Sequence, residues 1–119
     1  MVVKMKRGTT PVSARLTIKG IVHWAYLLSS PDHTFKKSGI SDAVNDMDLG
    51  VPSDLHLDPH EWTIHVANLT PSKVNFDVLL EFMQANTVLE QWSRKGALDS
   101  GGESVPEDKA VLIIDPASV

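Results

Sequence analysis

Histidines and carboxylates are concentrated in one short stretch of the chain, where they could ligate a metal ion. His56, Asp58, His60 and His65 lie within ten residues, and imidazole and carboxylate groups are ligands that zinc takes. His56 and His60 would share one face of a helix, but Pro59 separates them and the following residues have a strand pattern. We therefore predict no metal site, and we interpret these histidines as loop and strand-surface residues.

Motifs of common enzyme sites are absent from the sequence. It has no Gly-x-Ser-x-Gly turn, no glycine-rich phosphate loop and no His-Glu-x-x-His helix. There is no cysteine, which removes thiolate nucleophiles and thiolate metal sites. We predict that the chain is not an enzyme, with no catalytic residues and no cofactor.

Aromatic residues with basic neighbours favour binding of single-stranded nucleic acid. Such binding needs a positive groove that follows the phosphates and rings on which bases stack, and each stacked base contributes about 1–3 kcal/mol. The aromatic candidates are Trp24, Tyr26, Phe35, Trp62 and Trp92, and the nearby basic residues are Arg15, Lys19, Lys36, Lys37, Arg94 and Lys95. Trp24, Tyr26 and Trp62 share parity with core positions, so a core role is favoured for them, which leaves Phe35 and Trp92 as the better stacking candidates.

Charge is unevenly distributed in this chain of 119 residues with a net charge of −4. Residues 1–37 contain seven basic residues and one acidic residue, whereas residues 38–72 contain six acidic residues and no lysine or arginine. The asymmetry fits a basic nucleic-acid face, and it also fits two blocks that neutralise each other on a solvated surface. No apolar run is long enough to span a bilayer, and residues 1–10 lack the apolar core of a signal peptide. We expect a cytoplasmic protein without a membrane partner.

The chain length suits a single domain over residues 1–119, whose elements should position these side chains. Residues 1–10 read as a basic arm, and residues 13–28 as one long strand that bends at Gly20. A second strand is predicted over 61–69, a third over 88–93 before a basic turn at 94–96, and a last one over 110–114. Residues 98–108 read as a loop.

Two segments are predicted to be other than strand. Residues 38–60 read as a long acidic loop with one short helical turn near Asp42 to Asp46, and loops of this length are usually functional or disordered. Thr70-Pro71 resembles a helix start, and Val74, Val78, Leu79, Phe82 and Met83 follow at helical spacing, so a helix is predicted over 71–85. The sequence thus predicts a mainly β fold with one helix, either a small barrel or an α+β sheet with one packed helix.

Several segments resemble the small single-stranded-DNA-binding proteins of tailed phages. Lys19 to Leu28, with its Gly-x-x-x-Trp-Ala pattern, then Pro31-Asp32 and Phe35, resembles their first strand and turn. Trp62 to Thr70 resembles their second strand before a helix, Trp92 to Gly96 their basic strand and turn, and Val111 to Pro116 the apolar strand that follows. Family members continue beyond that strand with further strands and an acidic tail, so the resemblance also implies a barrel completed by a second chain or by additional residues.

The resemblance implies an OB-fold-like barrel that coats single-stranded DNA during phage replication or recombination in the cytoplasm of an infected bacterium. Implied partners are single-stranded DNA, replication proteins and a second copy in a homodimer. Carried over by position, the DNA contacts would be Arg15, Lys19, Trp24, Phe35, Lys36, Lys37, Arg94 and Lys95. The alternative function is a small phage adaptor or inhibitor that binds a host protein through its acidic loop.

Overall fold

Alternation of apolar and polar residues runs along most of the chain, and the computed structural model, which describes residues 1–118, shows ten β-strands in that range. The strands are β1 (Val2–Met5), β2 (Val12–Lys19), β3 (His23–Ser29), β4 (Thr34–Ile40), β5 (Ala43–Gly50), β6 (Pro59–Ala67), β7 (Val74–Gln84), β8 (Thr87–Leu98), β9 (Glu103–Ser104) and β10 (Glu107–Ile114). One short helix, α1 (Pro52–Leu55), lies between β5 and β6.

The strands form two sheets that pack face to face. Sheet A has the order β1-β10-β6-β3-β4, with β9 also paired to β6, and sheet B has the order β5-β2-β7-β8. Within residues 1–118 every pairing is antiparallel except that of β1 with β10. The prediction of a mainly β fold with one helix is confirmed. The sheets do not close into the barrel that the OB-like prediction required, since both keep free edge strands.

Gly20 divides the predicted long strand into β2 of sheet B and β3 of sheet A. Its backbone has φ of +127°, and a Cβ at this position would lie 2.5 Å from the carbonyl oxygen of Asn75, so a glycine is required at this turn. The predicted parity is confirmed on both sides of the turn, because Leu16, Ile18, Val22, Trp24, Tyr26 and Leu28 are all buried. Because of this bend, the buried side chains of β2 and β3 pack into one core between the two sheets.

The predicted N-terminal arm over residues 1–10 is wrong, because its first half is a core strand. β1 pairs in parallel with β10, and the side chains of Val3 and Met5 are fully buried. Residues 6–10 connect β1 to β2, and the side chain of Gln84 bonds to backbone groups of Lys6 and Thr10 there. The buried apolar residues at alternate positions, rather than the basic residues, therefore determine the structure of this segment.

The predicted acidic loop over residues 38–60 is also wrong. It contains the end of β4, all of β5, α1 and the start of β6, and the helical turn predicted near Asp42 to Asp46 is part of a strand instead. Met47 and Leu49 of β5 are buried, while the carboxylates of Asp46 and Asp48 face solvent. Several acidic residues serve local structure: Asp42 and Asp48 accept hydrogen bonds from the backbone N–H groups of Gly20 and Gly50.

The helix predicted over 71–85 is replaced by β7. Phe76, Val78, Leu80 and Phe82 are buried at a spacing of two, which is the period of a strand. β7 is the central partner of β2 and β8, so tertiary pairing outweighs the local helix signals. β8 likewise continues through the predicted turn at 94–96, and β9 and β10 occupy part of the loop predicted over 98–108.

The second strand was predicted correctly apart from its ends. β6 covers Pro59–Ala67, and Trp62, Ile64 and Val66 point into the core as their parity predicted. The helix α1 has four residues, and the described part of the chain contains no helix that could span a membrane.

Candidate binding surface

The structure buries one of the rings predicted to contact DNA and covers part of another. Trp24 is 6% exposed, and its indole N–H donates a hydrogen bond to the carbonyl of Ser41 at 3.0 Å. Phe35 is half-buried against the core and stacks on His33, with ring centroids 5.9 Å apart. In this conformation the Trp24 ring cannot stack on a base, whereas the exposed side of Phe35 remains accessible.

The other aromatic candidates also contribute to packing. Trp62 is 3% exposed and Tyr26 is 9% exposed, as their core parity predicted. Burial raises the pKa of the Tyr26 hydroxyl above its ordinary value, because desolvation disfavours the charged phenolate. Trp92 is half-buried on β8, and its ring lies 4.7 Å from that of Trp62 across the two sheets. Trp92 is therefore partly engaged in holding the sandwich together.

The predicted basic contacts lie on different sheets. Lys36 and Lys37 belong to β4 of sheet A, whereas the other four belong to β2 and β8 of sheet B, namely Arg15, Lys19, Arg94 and Lys95. The structure thus brings two of the six lysines and arginines together with Phe35 and separates them from the rest.

Three of the four basic residues on sheet B have polar partners of their own. The Arg15 guanidinium donates to the Asp46 carboxylate at 2.7 Å, and this hydrogen bond raises the pKa of Arg15. Lys95 lies 3.7 Å from a carboxylate oxygen of Asp77, and Arg94 donates to the Ser104 hydroxyl at 3.3 Å. Their charge is therefore partly compensated within the protein.

The histidines that are clustered in the sequence occupy different environments in the structure. His60 is fully buried with no hydrogen-bond partner on either ring nitrogen, so its interpretation as a surface residue was wrong. Burial lowers the pKa of His60, which keeps the ring neutral. His56 Nδ1 accepts a hydrogen bond from the Ile114 N–H at 3.1 Å. Across residues 1–118 no group of three or more histidine, aspartate and glutamate side chains is placed to hold a metal ion.

A shallow groove with an uncharged floor runs along the solvent-facing side of sheet A. It consists of two adjoining depressions of about 620 Å³ and about 610 Å³, which share Ala25, Ser38 and His65. We call it the sheet A groove, and its floor is formed by outward-facing residues of β3, β4 and β6, namely Ala25, Leu27, Ser38, Thr63, His65 and Ala67.

Strand register explains why these residues meet. Ala25 of β3 is paired with Ser38 on one side and His65 on the other. Because directly paired residues point to the same face of a sheet, each such row presents three neighbouring side chains to solvent. The small side chains of Ala25 and Ser38 in the middle row make the depression, and the exposed apolar residues Ile40 and Leu69 border it.

Opposite charges border the groove on its two long sides. Lys36 and Lys37 lie on β4, the free edge strand of sheet A. Glu103 of β9 and Glu107 of β10 lie on the other side, next to β6. Glu103 accepts a 2.7 Å hydrogen bond from the His65 ring.

No family model, curated protein or solved structure matches the chain. The resemblance to phage single-stranded-DNA-binding proteins therefore stays a prediction.

The solvent-facing side of sheet B provides an internal comparison. In one row Arg15 stands between Asp46 and Glu81, and in another Asp77 stands between Lys19 and Lys95. A sheet face that alternates charges in this way is typical of a surface exposed to water. The row between them, which consists of Val44, Thr17, Leu79 and Ser93, is uncharged. Charged and uncharged rows therefore alternate on sheet B, whereas the floor of the sheet A groove lacks lysine, arginine, aspartate and glutamate in adjoining rows.

Sequence reasoning missed the groove because none of its residues, taken alone, indicates a binding site. A signal was present in β3, where the solvent-facing parity contains His23, Ala25 and Leu27 but no charged residue. The matching positions of β6, Thr63, His65 and Ala67, show the same lack of charge. Only the register between the strands reveals that these positions adjoin.

Proposed function

We propose that this chain is a non-catalytic binding protein, and that the sheet A groove is where it binds another polypeptide. The observation that carries the proposal is the uncharged floor of a groove open to solvent on a sheet face. Exposed apolar patches on monomeric proteins commonly mark sites of interaction with other proteins. The outer face of sheet B, in contrast, carries charged rows with ion pairs between Arg15 and Asp46 and between Lys95 and Asp77.

The shape of the groove favours a polypeptide over a small molecule. Small-molecule sites are concave and bury most of the surface of their ligand. The sheet A groove is shallow, and its two depressions extend over several rows of β3, β4 and β6. Its uncharged floor and the charged residues on its two long sides resemble the arrangement of protein–protein interfaces, where an apolar centre is surrounded by polar residues.

The surface that an adaptor would use to bind its partner also changes with the fold. The acidic segment 38–60 is not a free loop, and Asp46, for example, is paired with Arg15. The groove, which is bordered by both lysines and glutamates, therefore replaces the acidic segment as the surface through which a partner would be bound.

Selection of random short peptides displayed on phage tests this proposal. Peptides enriched on the wild-type protein should lose binding to Ala25→Glu, which places a charge in the middle of the floor. They should keep binding to Thr17→Glu, which makes the same kind of change at a half-buried, outward-facing strand position on sheet B. Failure to enrich any peptide that distinguishes the two variants would contradict the proposal.

Single-stranded DNA binding is retained as a second candidate because of one specific observation. Phe35, Lys36 and Lys37 are consecutive on β4, and both lysines are exposed at a free sheet edge. Phe35 and Lys37 share one face of β4, and Lys36 lies on the other. A partly exposed ring with an ammonium group on each face of the edge strand is a minimal version of the stacking and charge that such binding needs. A protein with this activity would act in the cytoplasm of an infected bacterial host, supporting replication or recombination.

Fluorescence anisotropy of a labelled oligo-dT tests the second candidate. Binding should be measurable at low salt, weaken steeply as salt rises, and be lost in the Lys36→Glu/Lys37→Glu variant but kept in Lys73→Glu. Absence of binding by the wild-type protein at low salt would reject this function without affecting the first proposal.

A further inference from the structure

Charge on the outer face of sheet A is arranged so that the face complements itself. The clearest row runs across four strands, with Lys36 of β4, Leu27 of β3, Thr63 of β6 and Glu107 of β10 paired in succession. A cation therefore stands at one end of the row and an anion at the other, with uncharged side chains between them. Within residues 1–118 neither Lys36 nor Glu107 takes part in an ion pair.

We propose that the sheet A groove binds a second copy of this chain, in a homodimer whose two-fold axis runs parallel to the strands. This inference rests on the proposal that the groove binds a polypeptide, and it specifies which polypeptide. In such an isologous dimer the same surface of each copy is used twice. Rotation about this axis places each row opposite the same row of the second copy, with the order of its residues reversed. Lys36 therefore lies opposite Glu107 of the second copy, and Leu27 lies opposite Thr63.

The charges select this orientation over the other face-to-face arrangement. A two-fold axis perpendicular to the strands, and in the plane of the face, would place each strand opposite the same strand of the second copy. The rows would then meet in reversed order, and β10 would lie opposite the β9–β10 side of the second copy. Glu107 would then lie towards Glu103, and like charges placed opposite each other are unfavourable. The axis parallel to the strands instead produces two attractive Lys36–Glu107 contacts.

Small side chains in the middle of the face allow two sheets to approach. Packed sheets lie about 10 Å apart, with their strand directions within about 30° of each other. In the proposed orientation Ala25 lies opposite His65 of the second copy, and His23 lies opposite Ala67. Each ring of one copy therefore meets a small side chain of the other.

The size of the face sets the expected strength of the dimer. Four strands about 4.8 Å apart and four rows about 6.8 Å apart cover roughly 520 Å² on each copy. The total of roughly 1,000 Å² lies below the range of stable interfaces and within that of weak, transient ones. Dimers are therefore expected at high protein concentration and monomers at low concentration.

Sedimentation equilibrium with charge-reversed variants tests the inference. Lys36→Glu and Glu107→Lys should each weaken wild-type dimerisation by about tenfold or more, because each replaces two attractive contacts with two repulsive ones. An equimolar mixture of the two variants should dimerise about as well as wild type, since both contacts then join opposite charges. The double variant Lys36→Glu/Glu107→Lys should also recover, and Lys19→Glu on sheet B should have no effect.

Two outcomes would overturn the dimer. One is a wild-type protein that remains monomeric at the highest concentration reached, and the other is a dimer that charge reversal weakens but mixing does not restore. The peptide selection described above separates this failure from that of the proposed function. Peptides that bind wild type but not Ala25→Glu, found together with a monomeric wild type, would mean that the groove binds a different polypeptide.

Discussion

Asn68 is fully buried, and replacing it should be among the most destabilising single changes in this protein. Its side-chain nitrogen donates to the carbonyl oxygens of Ser72 at 2.8 Å and Leu98 at 2.9 Å. Its side-chain oxygen accepts from the backbone N–H and the hydroxyl of Thr70 at 2.9 Å and 2.7 Å. One amide thus ties the turn between β6 and β7 to the end of β8, with both donors and both acceptor sites in use.

The expected cost follows from these four hydrogen bonds. Each contributes about 1 kcal/mol net, and a buried group left without a partner costs about 1–3 kcal/mol. Asn68→Ala should therefore lower the free energy of unfolding by about 4 kcal/mol. Asn68→Asp has nearly the same shape and keeps the two acceptor interactions, but it places carboxylate oxygen beside two carbonyl oxygens, so a loss of at least about 3 kcal/mol is expected.

Urea denaturation of a dilute, monomeric sample gives the required measurement. For a domain of this size, 4 kcal/mol corresponds to a fall in thermal midpoint of roughly 15 °C. Asn75→Asp is the matched control, because Asn75 is an exposed asparagine of β7, and its effect should stay within about 0.5 kcal/mol. A change below about 1 kcal/mol for Asn68→Ala would refute the reasoning that this turn depends on the Asn68 amide.

Three further changes test other parts of the fold. Gly39→Ala would put a Cβ 2.4 Å from Cζ2 of Trp24, so unfolding free energy should fall by about 1–3 kcal/mol, and the same change in a Trp24→Leu background should cost less. Gln84→Met removes three hydrogen bonds to Lys6 and Thr10, so amide exchange in β1 should accelerate, whereas the exposed Gln91→Met should leave it unchanged. Burial lowers the pKa of His60 below its unfolded value of 6.5, so the unfolded chain binds a proton that the folded chain does not. Stability should therefore fall as pH drops below about 6.5, by at most about 1.4 kcal/mol per pH unit from this group, and urea titrations should show a smaller pH dependence in His60→Leu.

Strands with one clear parity could be predicted from the sequence, because burial of one face fixes which residues point inward. In β2, β3 and β6 the buried parity is apolar throughout the strand interior, and the predicted core residues such as Leu16, Trp24 and Trp62 are buried. Only the division of the first strand at Gly20 into two sheets was not specified. A glycine signals a bend, but the sequence does not state where the chain goes after it.

β7 was misread because its apolar residues satisfy two periodicities. Val74, Val78 and Phe82 recur at a spacing of four, which suits one face of a helix and equally one face of a strand. Leu79 and Met83, which completed the helical stripe, lie on the outer face of sheet B and are half-buried. β5 was missed for the opposite reason, since its inward parity includes Asn45 and its outward parity is acidic, which weakened the apolar signal.

The groove could not be predicted from single strands, because its chemistry is a property of register. Ala25, Ser38 and His65 are distant in sequence and become one row only when β3 pairs with β4 and β6. A shift of one residue in either ladder would turn their side chains to the other face and bury charged neighbours such as Lys36. The buried parity of β3 and β6 therefore determines indirectly which residues form the outer surface. The core, by fixing register through Trp24, Ile64 and their neighbours, also fixes the uncharged floor and the opposite charges on its two sides.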